Sequence, residues 1–192
     1  MVDDFFESTS REWKVTERTE RIAKKIVDIL IPEDAKKILD IGCGKGVLEK
    51  FIIEKNANLQ VYCVDAALGM LLGMKETFQN NVESIQGKGE MLPFKNETFD
   101  AIIIFNAFPH FGDKKSSIFE CYRVLENNGK LIIAHSSSPK RINKIHRAIG
   151  KEIKNDRVPN KRSFFSILRE AGFKDIKYFL KNYFYITGRK EY

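Results

Sequence analysis

The chain has little of what an oxidised, secreted or membrane-spanning protein needs. Only three of its 192 residues are cysteine, Cys43, Cys63 and Cys121. The count is odd and none forms a C-x-x-C pair, which argues against a disulfide framework or a zinc ribbon and for a reducing compartment. The longest apolar run, Ala101 to Phe105, is far short of the ~20 residues a membrane helix requires. The opening Met1-Val2-Asp3-Asp4 is acidic where a secretory leader would be basic, so a cytoplasmic location is expected. No repeat or low-complexity stretch appears. Histidine is scarce too, with His110, His135 and His146 the only three.

The hydrophobic fraction of 43% excludes a disordered chain, and the length suits one domain over residues 1–192 with its own core. The net charge is +7. Between Lys140 and Arg162 nine basic residues face only Glu152 and Asp156, so this segment equals the whole net charge and the rest balances.

Hydrophobic periodicity predicts strands alternating with helices. Strands are expected at Lys37–Ile41, Leu59–Val64, Ser84–Gln86, Phe99–Phe105, Lys130–Ala134, Ile176–Leu180 and Tyr183–Thr187. Helices are expected at 15–30, after Gly46, at Leu68–Phe78, from Asp113 to Leu125, from Pro139 to about Ile149, and from Ser163 to Ala171. Asn127-Asn128-Gly129 should end the helix that starts at Asp113, with Gly129 as a left-handed cap. This order implies an α/β, Rossmann-like doubly wound sheet of seven strands. It should be mostly parallel, with helices on both faces and Phe99–Phe105 central. The last two strands, joined at Lys181-Asn182, must pair antiparallel.

In such sheets ligands sit at the carboxyl ends of the strands, where the strand order reverses. The first strand runs into Asp40-Ile41-Gly42-Cys43-Gly44-Lys45-Gly46. Glycines there let backbone approach a ligand, and the following helix offers unpaired N–H groups. A dinucleotide fingerprint would need glycine at 47, which is Val47, and the P-loop pattern is absent. Asp65 ends the second strand, where a carboxylate can accept both ribose hydroxyls of a nucleoside ligand.

From Asp40 to Gly46 the chain resembles motif I of the class I S-adenosylmethionine-dependent methyltransferases. The resemblance continues through Val64-Asp65, Gly87-Lys88-Gly89-Glu90-Met91-Leu92-Pro93-Phe94, Phe99-Asp100 and Tyr122 to Leu131, covering about residues 35–135. It implies S-adenosylmethionine as cofactor. Asp40 with the backbone of Gly42, Cys43, Gly44 and Gly46 would hold its methionine end. Asp65 would bind the ribose, Ala66 and Met70 would flank the adenine, Gly89, Glu90 and Met91 would line the adenine side, and Asn106 would sit beside it. Relatives often carry G-D-A-E where this chain has Gly87-Lys88-Gly89-Glu90, and a lysine has no acceptor for the adenine amino group.

His110, His135 and His146 all fall near the expected reaction end of the sheet, and are the candidate catalytic residues. They could simply cap or hydrogen-bond. One of them, His110 first, could be a general base or substrate anchor. All three, with Asp113 or Asp156, could hold a divalent metal, although no local zinc spacing supports that. The basic segment 139–162 could be a solvated lid surface, could hold an anionic acceptor, or could touch nucleic acid. Nucleic acid is disfavoured because no aromatics interleave with the charges and Asn106-Ala107-Phe108-Pro109 lacks an Asn/Asp-Pro-Pro-aromatic motif. Residues 1–34 supply a helix and Phe5, Phe6 and Trp13, which could form an aromatic lid or dock on the core. The expected activity is methyl transfer to a small anionic molecule. An RNA or protein methyltransferase using residues 140–162 is the alternative, and a non-catalytic cofactor- or metal-binding protein is the reading from another class.

Overall fold

A computed structural model describes residues 2–12, 14–78, 82–149 and 153–191. Trp13 and Glu152, named above, lie outside the described residues. Seven strands form one sheet: β1 (Lys37–Ile41), β2 (Gln60–Asp65), β3 (Glu83–Gln86), β4 (Phe99–Phe105), β5 (Leu125–His135), β6 (Lys174–Leu180) and β7 (Phe184–Arg189). Their order is β3-β2-β1-β4-β5-β7-β6. All neighbours are parallel except the pairs made by β7, which is antiparallel to both β5 and β6. Strand β4 is central, as its apolar run Ala101–Phe105 implies, and the order reverses between β1 and β4.

Helices α2 (Glu17–Leu30), α3 (Glu49–Lys55) and α4 (Leu68–Phe78) cover one face. Helices α5 (Lys114–Val124), α6 (Pro139–Ile149) and α7 (Lys161–Glu170) cover the other. In α2 the residues Ala23, Ile26, Val27 and Leu30 recur at helical spacing and are all buried. Thr16 caps its start by accepting from the Thr19 amide. At its end the Lys55 ammonium donates to the carbonyls of Val27, Asp28 and the C-cap residue Ile31, and the Val27 carbonyl also accepts from the Ile31 amide. A short helix, α1 (Val2–Thr9), docks on α4: the Glu7 carboxylate accepts from the Gly69 amide at 3.0 and 3.1 Å, in the first turn of α4. No described helix is long and apolar enough to cross a membrane.

Three local expectations are corrected. Helix α5 ends at Val124 and β5 begins at Leu125, five residues before the expected strand. Asn128, with φ +64°, takes the left-handed conformation instead of Gly129. Gly129 is needed for space, since a Cβ there would stand 2.7 Å from the Glu126 carbonyl oxygen. Helix α7 is capped by Asn160, whose side chain accepts from the Ser163 amide, so Ser163 lies inside the helix.

Candidate active site

The carboxyl ends of β1, β2 and β4 open into a cavity of about 440 Å³, within the range of roughly 300–1,000 Å³ usual for small-molecule sites. Nine of the twelve residues assigned to the cofactor line it: Gly42, Cys43, Gly44, Asp65, Ala66, Met70, Gly89, Glu90 and Asn106. The glycine loop turns with positive φ at Gly42, Gly44 and Gly46. The Asp65 carboxylate is fixed at the wall by accepting from the Gly44 amide and the Ala67 amide, both at 2.9 Å. Asn106 stands at the end of β4 with φ +58°, and its Oδ1 accepts from the Ser136 amide at 2.9 Å. That bond ties the ends of β4 and β5 together beside the cavity.

The other three are elsewhere. Gly46 faces α4: a Cβ there would meet Phe78 at 2.4 Å and Met74 at 3.1 Å, so this glycine seats the helix. Met91 pairs with Lys88 in a small bridge and is 80% exposed. Asp40 is buried beneath the loop. It pairs with Cys63 and Ile103 in register, and strand alternation turns it with Ile38 toward the face covered by α3. There it meets Glu49, itself fully buried, whose Oε1 accepts from the Cys63 thiol at 3.0 Å. Asp40 Oδ1 and Glu49 Oε2 have no hydrogen-bond partner among the described residues. Burial, reinforced by mutual repulsion, pushes the Asp40 carboxyl well up, and burial also raises Glu49. Burial likewise pushes the Cys43 thiol up to about 12, so this cavity residue is no thiolate nucleophile.

The histidines cluster, but only His110 lines the cavity. Its Nδ1 lies 2.7 Å from Asp156 Oδ2. His146 is tilted against it with ring centroids 4.8 Å apart, and its Nδ1 donates to the Asp156 carbonyl oxygen at 2.7 Å. His135 is buried and stacks on Phe184 at 5.3 Å, with no partner for its Nε2 among the described residues. Burial holds His135 well below the usual histidine range and lowers His110 as well, against the upward pull of Asp156. Among the described residues no three His, Cys, Asp or Glu side chains converge as metal ligands. The metal candidates His110 and His146 instead turn their Nδ1 atoms to Asp156.

The rest of the wall carries residues with no motif to announce them. Phe6 of α1 packs edge-on against His110 at 4.8 Å and, with Val15, Phe105 and Phe111, makes an apolar section. Lys14, Lys45 and Lys88 supply cations, and Thr16 and Thr19 supply hydroxyls. None of the described basic side chains of 140–162 lines the cavity. Among its described residues, Asp156 and His146 contact the site, both through His110.

The cavity suits S-adenosylmethionine. A Cβ at Gly44 would meet nothing within 4 Å, so this part of the loop has open space in front of it, and Asp65 holds a carboxylate at the distance of one strand end.

Comparison with known proteins agrees. Residues 39–133 match the family model described as a methyltransferase domain. Demethylmenaquinone methyltransferase of Thermotoga maritima is 29% identical over 116 residues, 60% of this chain and 50% of that protein. The enzyme of the same name from Corynebacterium kroppenstedtii is 36% identical over 110 residues, 57% of this chain and 46% of that protein. The chain thus spans about half the length of the curated relatives it matches. A crystal structure of an S-adenosylmethionine-dependent methyltransferase from Thermotoga maritima superposes with a TM-score of 0.78 over 100% of both chains at 20% identity, which speaks for the fold. Sheet order, glycine loop, acidic strand end and family match coincide on the same stretch, and residues 39–133 form a methyltransferase domain of the class I S-adenosylmethionine-dependent kind.

Proposed function

We propose that the protein transfers a methyl group from S-adenosylmethionine to a small anionic acceptor held between Phe6, His110 and Phe111. The observation that carries this reading is the single cavity wall on which the glycine loop and Asp65 meet His110, Lys14 and Lys45. The bound cofactor supplies an electrophilic methyl group on a sulfonium. The chain supplies alignment and the exclusion of water. Asp65 would orient the ribose, Gly42 and Gly44 the methionine end, and Ala66, Met70, Gly89 and Glu90 the adenine. Phe6 closes the cavity from the N-terminal side, so residues 1–34 serve as its lid. Lys14 and Lys45 give an anionic group a place to bind. The relatives' names, which specify a demethylmenaquinone, support an acceptor of small-molecule size. An RNA or protein acceptor would call on the cations of 140–162, and the described ones stand away from the cavity.

Calorimetry with S-adenosylhomocysteine tests the assignment of Asp65. Asp65→Ala removes charge-assisted hydrogen bonds worth about 1.5–3 kcal/mol each, so affinity should fall at least tenfold. Wild-type affinity in that variant would remove Asp65 from the cofactor site.

A further inference from the structure

Residues 153–160, between α6 and α7, are built to hold one side chain still. Ile153 and Val158 are buried on either side of Asp156. Asn143 of α6 clamps the far end, its Oδ1 accepting from the Val158 amide at 2.9 Å. The Asp156 amide donates to the Ile153 carbonyl at 3.0 Å, and the Asp156 carbonyl accepts from His146 Nδ1 at 2.7 Å. Backbone and flanks being fixed, the carboxylate has one direction left, and Oδ2 meets His110 Nδ1 at 2.7 Å. Both side chains are mostly shielded from water, with 14% and 15% of their area exposed.

These contacts dictate a tautomer. An ionised carboxylate only accepts hydrogen bonds, so His110 Nδ1 carries the proton and Nε2 is the basic nitrogen of the ring. We propose that Asp156 is a positioning residue of the methyl-transfer site: it fixes His110 in the Nδ1–H tautomer so that Nε2 takes the proton of a protic acceptor. This inference rests on the function proposed above and narrows the acceptor to one whose nucleophilic atom loses a proton as it is methylated. The acceptor atom forms a bond to the methyl carbon, the carbon–sulfur bond breaks with its electrons going to sulfur, and the acceptor's proton passes to Nε2. The positive charge lost from sulfur thereby reappears on the imidazolium, 2.7 Å from the Asp156 carboxylate that stabilises it. His146, Lys114 and His135 also face His110, and as cations each would disfavour the imidazolium. Among the described residues Asp156 is the acid that opposes them, and Phe6 faces the ring from α1 without charge.

The test needs no known acceptor. With three histidines in the chain, ¹⁵N-histidine labelling gives three ring systems, and His110→Gln identifies the signals of His110. In the wild-type protein His110 should show a protonated Nδ1 and an unprotonated Nε2. In Asp156→Asn the new amide can donate to Nδ1, so the ring should switch to the Nε2–H form and its pKa should fall further. Asp156→Glu keeps a carboxylate and should restore the Nδ1–H form. Thermal melts establish that each variant is folded. Turnover, once measured on any accepted substrate, should drop by roughly 10²-fold in Asp156→Asn, the lower end of what a positioned base contributes. An unchanged tautomer and pKa in folded Asp156→Asn would overturn the proposal. Failure of S-adenosylhomocysteine to bind the wild-type protein would instead overturn the cofactor reading, and the two outcomes are read independently.

Discussion

Replacing Gly42 with alanine should damage the site through one contact. Gly42 has φ +75°, and a Cβ there would stand 2.3 Å from the Cβ of Ala107. Carbon atoms in good contact lie about 3.5–4.0 Å apart, so the overlap exceeds ~1 Å. Neither methyl can rotate away, because each sits directly on its backbone. Relief must move the segment after β4, where Asn106 already holds φ +58°. The left-handed conformation costs a non-glycine residue about 1–2 kcal/mol, and overpacking costs about 1–3 kcal/mol. Their total of about 2–5 kcal/mol corresponds to a fall in Tm of very roughly 5–20 °C for a chain of this size. Urea and thermal unfolding measure it. The double variant Gly42→Ala/Ala107→Gly removes the clash and leaves the backbone cost, so it should recover about 1–3 kcal/mol of the loss. Both residues line the cavity, so S-adenosylhomocysteine affinity should fall in the single variant and partly return in the double. Strict additivity of the two substitutions, or a Gly42→Ala protein within about 0.5 kcal/mol of wild type, would refute the assigned contact.

Two pH effects follow from buried groups. Asp40 and Glu49 have folded-state pKa values raised above the ordinary 3.8 and 4.5, so the folded protein holds more protons than the unfolded chain, and this pair lowers stability progressively as pH rises above about 4.5. Glu49→Gln should therefore gain stability relative to wild type as pH increases, read from urea midpoints at several pH values; parallel profiles would show that the pair does not titrate. His135 has a depressed folded-state value, so its contribution is present above the ordinary 6.5 and is lost as pH falls below it. His135→Leu should flatten that acid limb, and an unaltered limb would mean that His135 is not the group responsible.

The parts of this protein that were legible in its sequence are those decided within a few residues. The seven strands follow from apolar runs bounded by turn residues, and the antiparallel end follows from a connection too short for a crossover. The cavity's glycine loop and Asp65 were legible because the chemistry occupies adjacent positions at two strand ends. Where a side chain's destination depended on the opposite face of the sheet, local reading failed. Asp40 sits next to the loop in sequence, but the two-residue repeat of the strand turns it away from the cavity toward Glu49. Gly46 belongs to the same motif, yet its absent side chain makes room for Phe78.

Charge misled in the same way. The segment 140–162 draws attention by its nine cations, whereas the side chain it delivers to the site is one of its two acids. Asp156 is 46 residues from His110, and nothing in the spacing links them. The link arises because α6 lays His146 beside His110 and buries Ile153 and Val158 around the loop, which leaves the carboxylate facing the imidazole. The cavity-lining cations Lys14 and Lys45 come from outside that segment, from the remainder of the chain, which balances to zero. Net charge therefore indicates what surrounds this protein's surface, and the arrangement of single charges around a 440 Å³ cavity determines what can enter and react.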